Sequence, residues 1–213
     1  MLSFIKKYEE RKQSGFTLME MAIVLVVIGL ILGAVSIGKD LQRNAEYRKI
    51  TNKFVGQWAQ AYNQYYERTG VVPGDVLIAP TGISLIADDN AGAVPTFFQN
   101  AGIRVPSGRG AGNENEYLYY DPQGIPQTLI IDFLNIQDGT ANGLVGNLMR
   151  LQGLDPVLLS VFEASIDGIV NVAGGVFRCD TAGVDGGTAN ALVAEEQVNA
   201  AANLATCYYK MQQ

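Results

Sequence analysis

A single carboxylate stands where it is expensive to keep. Glu20 interrupts Phe16–Ile37, a run reading FTLMEMAIVLVVIGLILGAVSI with no other charge. An acidic side chain at membrane depth costs several kcal/mol unless it is paired, so Glu20 is read first as a functional group. The plainer alternative is a polar residue tolerated near the membrane interface. Around it, Gly15-Phe16-Thr17-Leu18-Met19-Glu20 sets a glycine and an acid five positions apart at the head of the apolar run.

Few other residues offer chemistry. The chain has no histidine, which removes the usual general base and the commonest metal ligand. Its serines and threonines therefore lack a base to activate them. Gly108-Arg109-Gly110-Ala111-Gly112 is glycine-rich, but it has neither a P-loop lysine nor a strand-to-helix setting. Asp88-Asp89-Asn90 and Asp180 with Asp185-Gly186-Gly187 present oxygens of the kind calcium takes, without the spacing of an EF-hand loop. Exposed acidic turns are the plainer reading of both. No catalytic residue, metal ligand or cofactor is expected, and the chain is not read as an enzyme.

Cys179 and Cys207 are the two cysteines, with no CxxC pair and no histidine to complete a zinc site. In an exported chain they suggest one structural disulfide across 27 intervening residues. Closing such a loop stabilises by about 3 kcal/mol in the chain-entropy description. Two buried free thiols are the alternative.

The elements that must carry these residues follow from hydropathy. A length of 213 residues, 48% hydrophobic, suits one domain plus an extended element. Phe16–Ile37 is long enough to cross a bilayer, since ~20 helical residues at ~1.5 Å span a ~30 Å hydrocarbon core. Lys6, Lys7, Arg11 and Lys12 precede it and outweigh Glu9 and Glu10. That bias keeps the N-terminus cytoplasmic, although Lys39 and Arg43 on the other side soften it. A secretory signal peptide fits less well, because the apolar run exceeds the usual 7–15 residues or so and lacks an Ala-x-Ala cleavage site.

The helical pattern continues through residues 39–70. Tyr47, Ile50, Phe54, Trp58, Ala61, Tyr62 and Tyr65 recur at three and four and form one apolar stripe. Gly70 stops the helix and Pro73 comes soon after. Unbroken, Phe16–Thr69 would run for ~80 Å.

A short basic leader ending in glycine, then Phe-Thr-Leu-x-Glu, then some twenty apolar residues, resembles the signal of type IV pilins and type II secretion pseudopilins. The resemblance covers residues 6–40. It implies an α+β, type IV pilin-like fold: a long N-terminal helix packed on an antiparallel sheet. It divides the chain into a cleaved leader (1–15), a transmembrane and filament-core helix (16–38), the amphipathic half of that helix (39–70) and a globular head (71–213). A prepilin peptidase would cut after Gly15 and methylate the new Phe16 amine, leaving 198 residues. Glycine suits the cut, since it lies extended with no side chain in a protease cleft. Glu20 would neutralise a neighbouring subunit's amine and so fix register, because a wrong offset leaves two charges unpaired.

The implied partners are copies of the same chain in a helical filament, the peptidase, the inner-membrane assembly platform and, before assembly, the membrane. The precursor would sit in the inner membrane with its head outside the cytoplasm, and the assembled filament would be extracellular. Many members carry a proline late in the helix where it locally melts; here Ile37-Gly38 stands instead. Gly29 and Gly33 form a small-xxx-small pair that permits close helix contact.

The head is read more coarsely. Tyr65–Asp75, ending Val72-Pro73-Gly74-Asp75, resembles a turn found in a subset of bacterial prepilin-like proteins, with Asp75 placed to cap the next segment. A short helix is expected near Ala93–Ala101, strands at Tyr117–Tyr120 and Gln127–Leu134, and a helix capped by Asp155-Pro156 through about Ala164. Ile166-Asp167-Gly168 turns toward a strand at Gly175–Cys179. Ala189–Asn203 reads as helix and Ala205–Met211 as strand.

From residue 71 onward fifteen acids face five bases, which suits solubility and repels nucleic acid. Three alternatives remain at this level: a minor pilin or pseudopilin that primes or caps a filament, a membrane-anchored periplasmic binding protein or enzyme, and a DNA-uptake receptor. The acidic head argues against the last.

Overall fold

The computed structural model describes residues 15–86, 93–110, 112–171, 174–180 and 204–211. They fall into two compact units that divide between Arg43 and Asn44. The architecture is α+β, a long apolar N-terminal helix and an antiparallel sheet, consistent with a type IV pilin-like fold.

In the first unit, helix α1 (Leu18–Lys49) begins at Leu18. The large apolar side chains from Phe16 to Leu41 are all exposed, and none of the helix's most apolar window is buried by the chain itself. A helix apolar on every side needs an apolar surround that the chain does not supply.

In the second unit, the last turn of α1, a π-helical turn (Ile50–Val55) and α2 (Gly56–Thr69) carry the stripe. The stripe is buried as its spacing requires: Tyr47, Ile50, Phe54, Trp58, Ala61, Tyr62 and Tyr65 are each at most 5% exposed. The sequence gives no warning of the π turn, which replaces the uninterrupted α-helix expected there. Its physical correlate is Thr51, whose hydroxyl donates to the Tyr47 carbonyl (3.0 Å) and competes for the acceptor an α-helix gives the Thr51 amide. The wider turn buries two consecutive pairs, Ile50-Thr51 and Phe54-Val55. Gly70 ends α2 in the left-handed conformation, its amide donating to the Tyr66 carbonyl (2.8 Å).

Among the described residues the sheet has six strands: β1 (Leu85–Ile86), β2 (Glu116–Tyr120), β3 (Pro126–Ala141), β4 (Leu144–Leu154), β5 (Phe177–Asp180) and β6 (Ala205–Lys210). All pairings are antiparallel, in the order β1-β3-β4-β6-β5, with β2 also pairing with β3. The described head also carries two short helices, α3 (Ala93–Asn100) and α4 (Pro156–Ile166). The long β3–β4 hairpin corrects the sequence reading, which ends a strand at Leu134 and places none at 144–154. Asn142 (φ 48°) and Gly143 (φ 80°) make its two-residue turn. Asn-Gly is the strongest short-range hairpin signal a sequence carries, so this hairpin has a local cause.

Alternation along the strands separates two faces. Ile131, Leu151, Cys207 and Cys179 stand in register on one, as do Phe133, Met149, Tyr209 and Phe177. Most of these side chains join the main core with the helical stripe: Trp58 meets Phe98 edge-on at 5.6 Å, and Tyr62 meets Phe133 at 5.3 Å. On the opposite face Asp132, Arg150, Tyr208 and Arg178 form a cross-strand ladder. Asp132 is fully buried there, and Arg150 Nε donates to both its oxygens at 2.9 and 3.1 Å. A buried carboxylate is tolerable in such company because the fork of the guanidinium matches it.

Cys179 and Cys207 lie directly opposite each other and form a disulfide that ties β5 to β6. Replacing both by serine is expected to lower stability by about 3 kcal/mol, a loss of unfolded-state constraint. Denaturant unfolding of the oxidised and double-serine chains in the same detergent measures it.

Candidate functional site

The start of α1 has a defined geometry. Thr17 is the N-cap of α1, and its hydroxyl accepts from the Glu20 amide (3.2 Å). Glu20 reaches back: its Oε2 accepts from the Thr17 amide (2.8 Å) and from the Thr17 hydroxyl (3.0 Å). The Met21 amide donates to the Thr17 carbonyl (3.2 Å). This is a reciprocal capping box, threonine at the cap and glutamate at the third helical position, which satisfies amides that a helix start leaves bare. It also sets a negative charge at the positive end of the helix dipole.

The sequence reading takes Glu20 only as a charge for a partner and gives Thr17 no role. The signal that finds Thr17 is Thr-x-x-Glu ahead of an apolar run.

The glycines of this unit answer a different question. A Cβ built on Gly15 meets nothing within 4 Å, and the same holds at Gly29, Gly33 and Gly38. Among the described residues, packing therefore does not require glycine at these four positions.

Elsewhere the candidate residues turn out to close loops. Asp75 is expected from the sequence to cap a following element, but no helix starts there. Its carboxylate instead accepts from the amides of Val76 (2.8 Å), Thr81 (2.9 Å) and Gly82 (2.7 Å), closing an exposed loop. Gly108 packs so tightly against the Glu114 and Glu116 carbonyls that a Cβ would overlap them, and Arg109 pairs with Glu116 at 3.3 Å. The glycine-rich segment thus makes a turn, while its Ala111 lies outside the described residues. So do Asp88, Asp89, Asn90, Asp185, Gly186, Gly187 and the expected helix at Ala189–Asn203, while Asp180 ends β5. Among the described residues no group of three or more acidic or cysteine side chains is placed to hold a metal ion.

Of the buried carboxyls among the described residues, two belong to α4 and its cap. Asp155 caps α4 as expected, accepting from the Val157 (2.8 Å) and Leu158 (3.1 Å) amides, with Pro156 at the first helical position. It also accepts from the Tyr47 hydroxyl (3.1 Å), while its amide donates to the Tyr119 hydroxyl (2.9 Å). Burial raises the Asp155 carboxyl above its usual range against these donors. Glu163, on α4, is fully buried, and no sequence signal singles it out.

The capping box makes its own prediction. Thr17→Ala should weaken the start of α1 by about 1 kcal/mol, the usual worth of a cap, with roughly fivefold less protection at Leu18–Met21. Amide hydrogen exchange in micelles reads this, and unchanged protection would mean that the box contributes nothing.

Comparison with curated proteins and with solved structures returns no match. A family model does match, over residues 11–36, and its description is the prokaryotic N-terminal methylation motif. The matched span includes Arg11 and Lys12, Gly15, the capped turn up to Glu20 and most of the apolar run, and by it the chain is assigned the prepilin-type signal of the type IV pilins and pseudopilins.

Proposed function

We propose that this chain is the structural subunit of a type IV pilus-like filament or of a type II secretion pseudopilus. It is made as a membrane precursor, cleaved between Gly15 and Phe16, methylated on the Phe16 amine and polymerised. The observation that carries the reading is the first part of α1, residues 18–37: apolar on every side, its large apolar side chains exposed, with one carboxylate in its first turn.

The chemistry proceeds in order. The basic leader holds the N-terminus in the cytoplasm. Hydrolysis of the Gly15–Phe16 bond releases residues 1–15 and leaves an α-amine within a few residues of Glu20. The capping box fixes that carboxylate against the Thr17 amide (2.8 Å), so it starts from one position. Lipid tails and neighbouring apolar helices are equally good surroundings for α1, so transfer between them carries little hydrophobic penalty. One axial offset is distinguished from another by the charge: Glu20 beside a neighbour's amine is paired, and any other offset leaves both bare in a medium of low dielectric. Gly29 and Gly33, open on the isolated helix, let a neighbouring backbone come close. The head then forms the surface, and the acidic balance beyond residue 71 favours a soluble exterior.

Mass spectrometry of the subunit from membranes is expected to find N-methylated Phe16 as its first residue. An intact Met1 terminus would sink the reading. Glu20→Gln separates the two uses of Glu20. Glutamine still serves the capping box, so the subunit should be processed and folded. Filament yield should nevertheless fall at least about tenfold, the order expected for losing a paired charge in a dry core. Wild-type filament yield from that variant would rule out charge pairing as the source of register.

A further inference from the structure

Glu163 is a buried acid outside the matched N-terminal motif. It lies near the end of α4 and is fully buried, and the chain beyond the helix folds back over it. Its Oε2 accepts from the Asn171 amide (3.3 Å), while its Oε1 has no hydrogen-bond partner. The Glu163 carbonyl accepts from the Asp167 amide (3.0 Å), which closes the helix. Asp167 then accepts from the amides of Val176 and Phe177, both at 3.1 Å, at the start of β5. Gly175 packs so close that a Cβ there would overlap the Asp167 carboxylate. The described residues between α4 and β5 are therefore held at two points by two carboxyls, one buried and one at the surface. Ile169, 72% exposed, is displayed between them.

We propose that Glu163 is a proton-operated latch for the loop of residues 167–171 that follows α4. The neutral carboxyl sits beneath it and holds the Asn171 amide, and loss of the proton places an uncompensated charge under the loop and loosens it.

The surroundings favour the neutral form. The π-helical turn packed against α4 brings one charged residue, Lys53, which is exposed. β5 meets α4 through the Phe162–Phe177 stack at 5.7 Å. Its Arg178 donates instead to the Gly175 and Asn142 carbonyls, and its Asp180 acts on Tyr208. Among the described residues the charge that acts on Glu163 is Asp167, which has the same sign. Burial pushes the Glu163 carboxyl up to about 7, the Asn171 amide opposes this, and the Asp167 charge adds to it.

The sign is fixed by linkage. An opened loop hydrates Glu163 and returns it toward its ordinary value of 4.5, so the closed loop binds the extra proton. Closure is fully favoured below that ordinary value, weakens as pH rises through about 7, and stays at its weakened level above.

The test is hydrogen exchange on the full chain in micelles, corrected for intrinsic rates, comparing pH 5.5 with pH 8.5. Protection of the Asn171 amide region is expected to fall roughly tenfold or more across this interval, given the shift in proton affinity. Glu163→Gln keeps the size and the acceptor without the titration, so its protection should not change with pH. Asp167→Glu or a similar change is avoided because Asp167 also anchors Val176 and Phe177. If Glu163→Gln fails to fold, the wild-type profile alone decides, with α2 as the internal reference. Constant loop protection in the wild type, a fall shared equally by α2, or an equal fall in Glu163→Gln would each overturn the latch.

Discussion

The apolar surface of α1 is the constraint to which the rest of the molecule answers. Each large apolar side chain left in water forgoes about 1.5–3 kcal/mol, and a folded domain keeps only ~5–15 kcal/mol in all. Sixteen such side chains between Phe16 and Leu41 are exposed, so the helix leaves unused more burial energy than a whole domain's net stability. An apolar surround would recover it. A membrane supplies one, and a bundle of like helices supplies another that is equally good. Because the two are nearly equivalent for the hydrophobic side chains, the one polar group in the run decides between arrangements.

That group is used twice. In the single chain, Glu20 is a capping residue, bonded to the amide and hydroxyl of Thr17. In the proposed filament it is a counter-charge. The two uses are compatible because a capping carboxylate is held by neutral donors and keeps its full charge. The box thus does more than start a helix. It restricts the rotamers of a long acidic side chain before any partner arrives, and that lowers the ordering cost of forming the pair.

Sequence legibility tracks how local each signal is. The N-terminal signal is a string of adjacent residues, and the family match falls on it. The stripe from Tyr47 to Tyr65 needs only the helical period, and it is buried as that period requires. The cap at Asp155 and the stop at Gly70 are single-residue signals, and both sit where the sequence places them. The failures are of two kinds. Asn142-Gly143 and Thr17-x-x-Glu20 are local signals too, and turn and cap chemistry applied at those positions finds β4 and the capping box that hydropathy alone omits. The π turn and buried Glu163 are different. Thr51 does not look unlike other helical threonines, and Glu163 occupies a helix position where an acid is ordinarily solvated. Only the tertiary packing makes either one unusual.

The acid surplus of the head also takes on a different meaning once its partners are known. It first reads as a coat for solubility. Yet Asp75, Asp121, Asp138, Asp155 and Asp167 each accept backbone amides at a turn or helix start. Many of these negative charges are therefore fasteners for a glycine-rich chain with long connections. They divide by exposure. Asp138 is held below the usual range by the Thr140 amide and hydroxyl; at Asp75 slight burial works upward, but the amides of Thr81, Gly82 and Val76 outweigh it. These exposed fasteners hold above the ordinary carboxylate range and let go as pH falls through their lowered values. Asp155 and Glu163, raised by burial, have the opposite sign and favour closure in acid. These opposed slopes fall in different pH ranges, so individual loops respond to pH separately. In such a head, local opening is the observable in which proton binding appears most clearly.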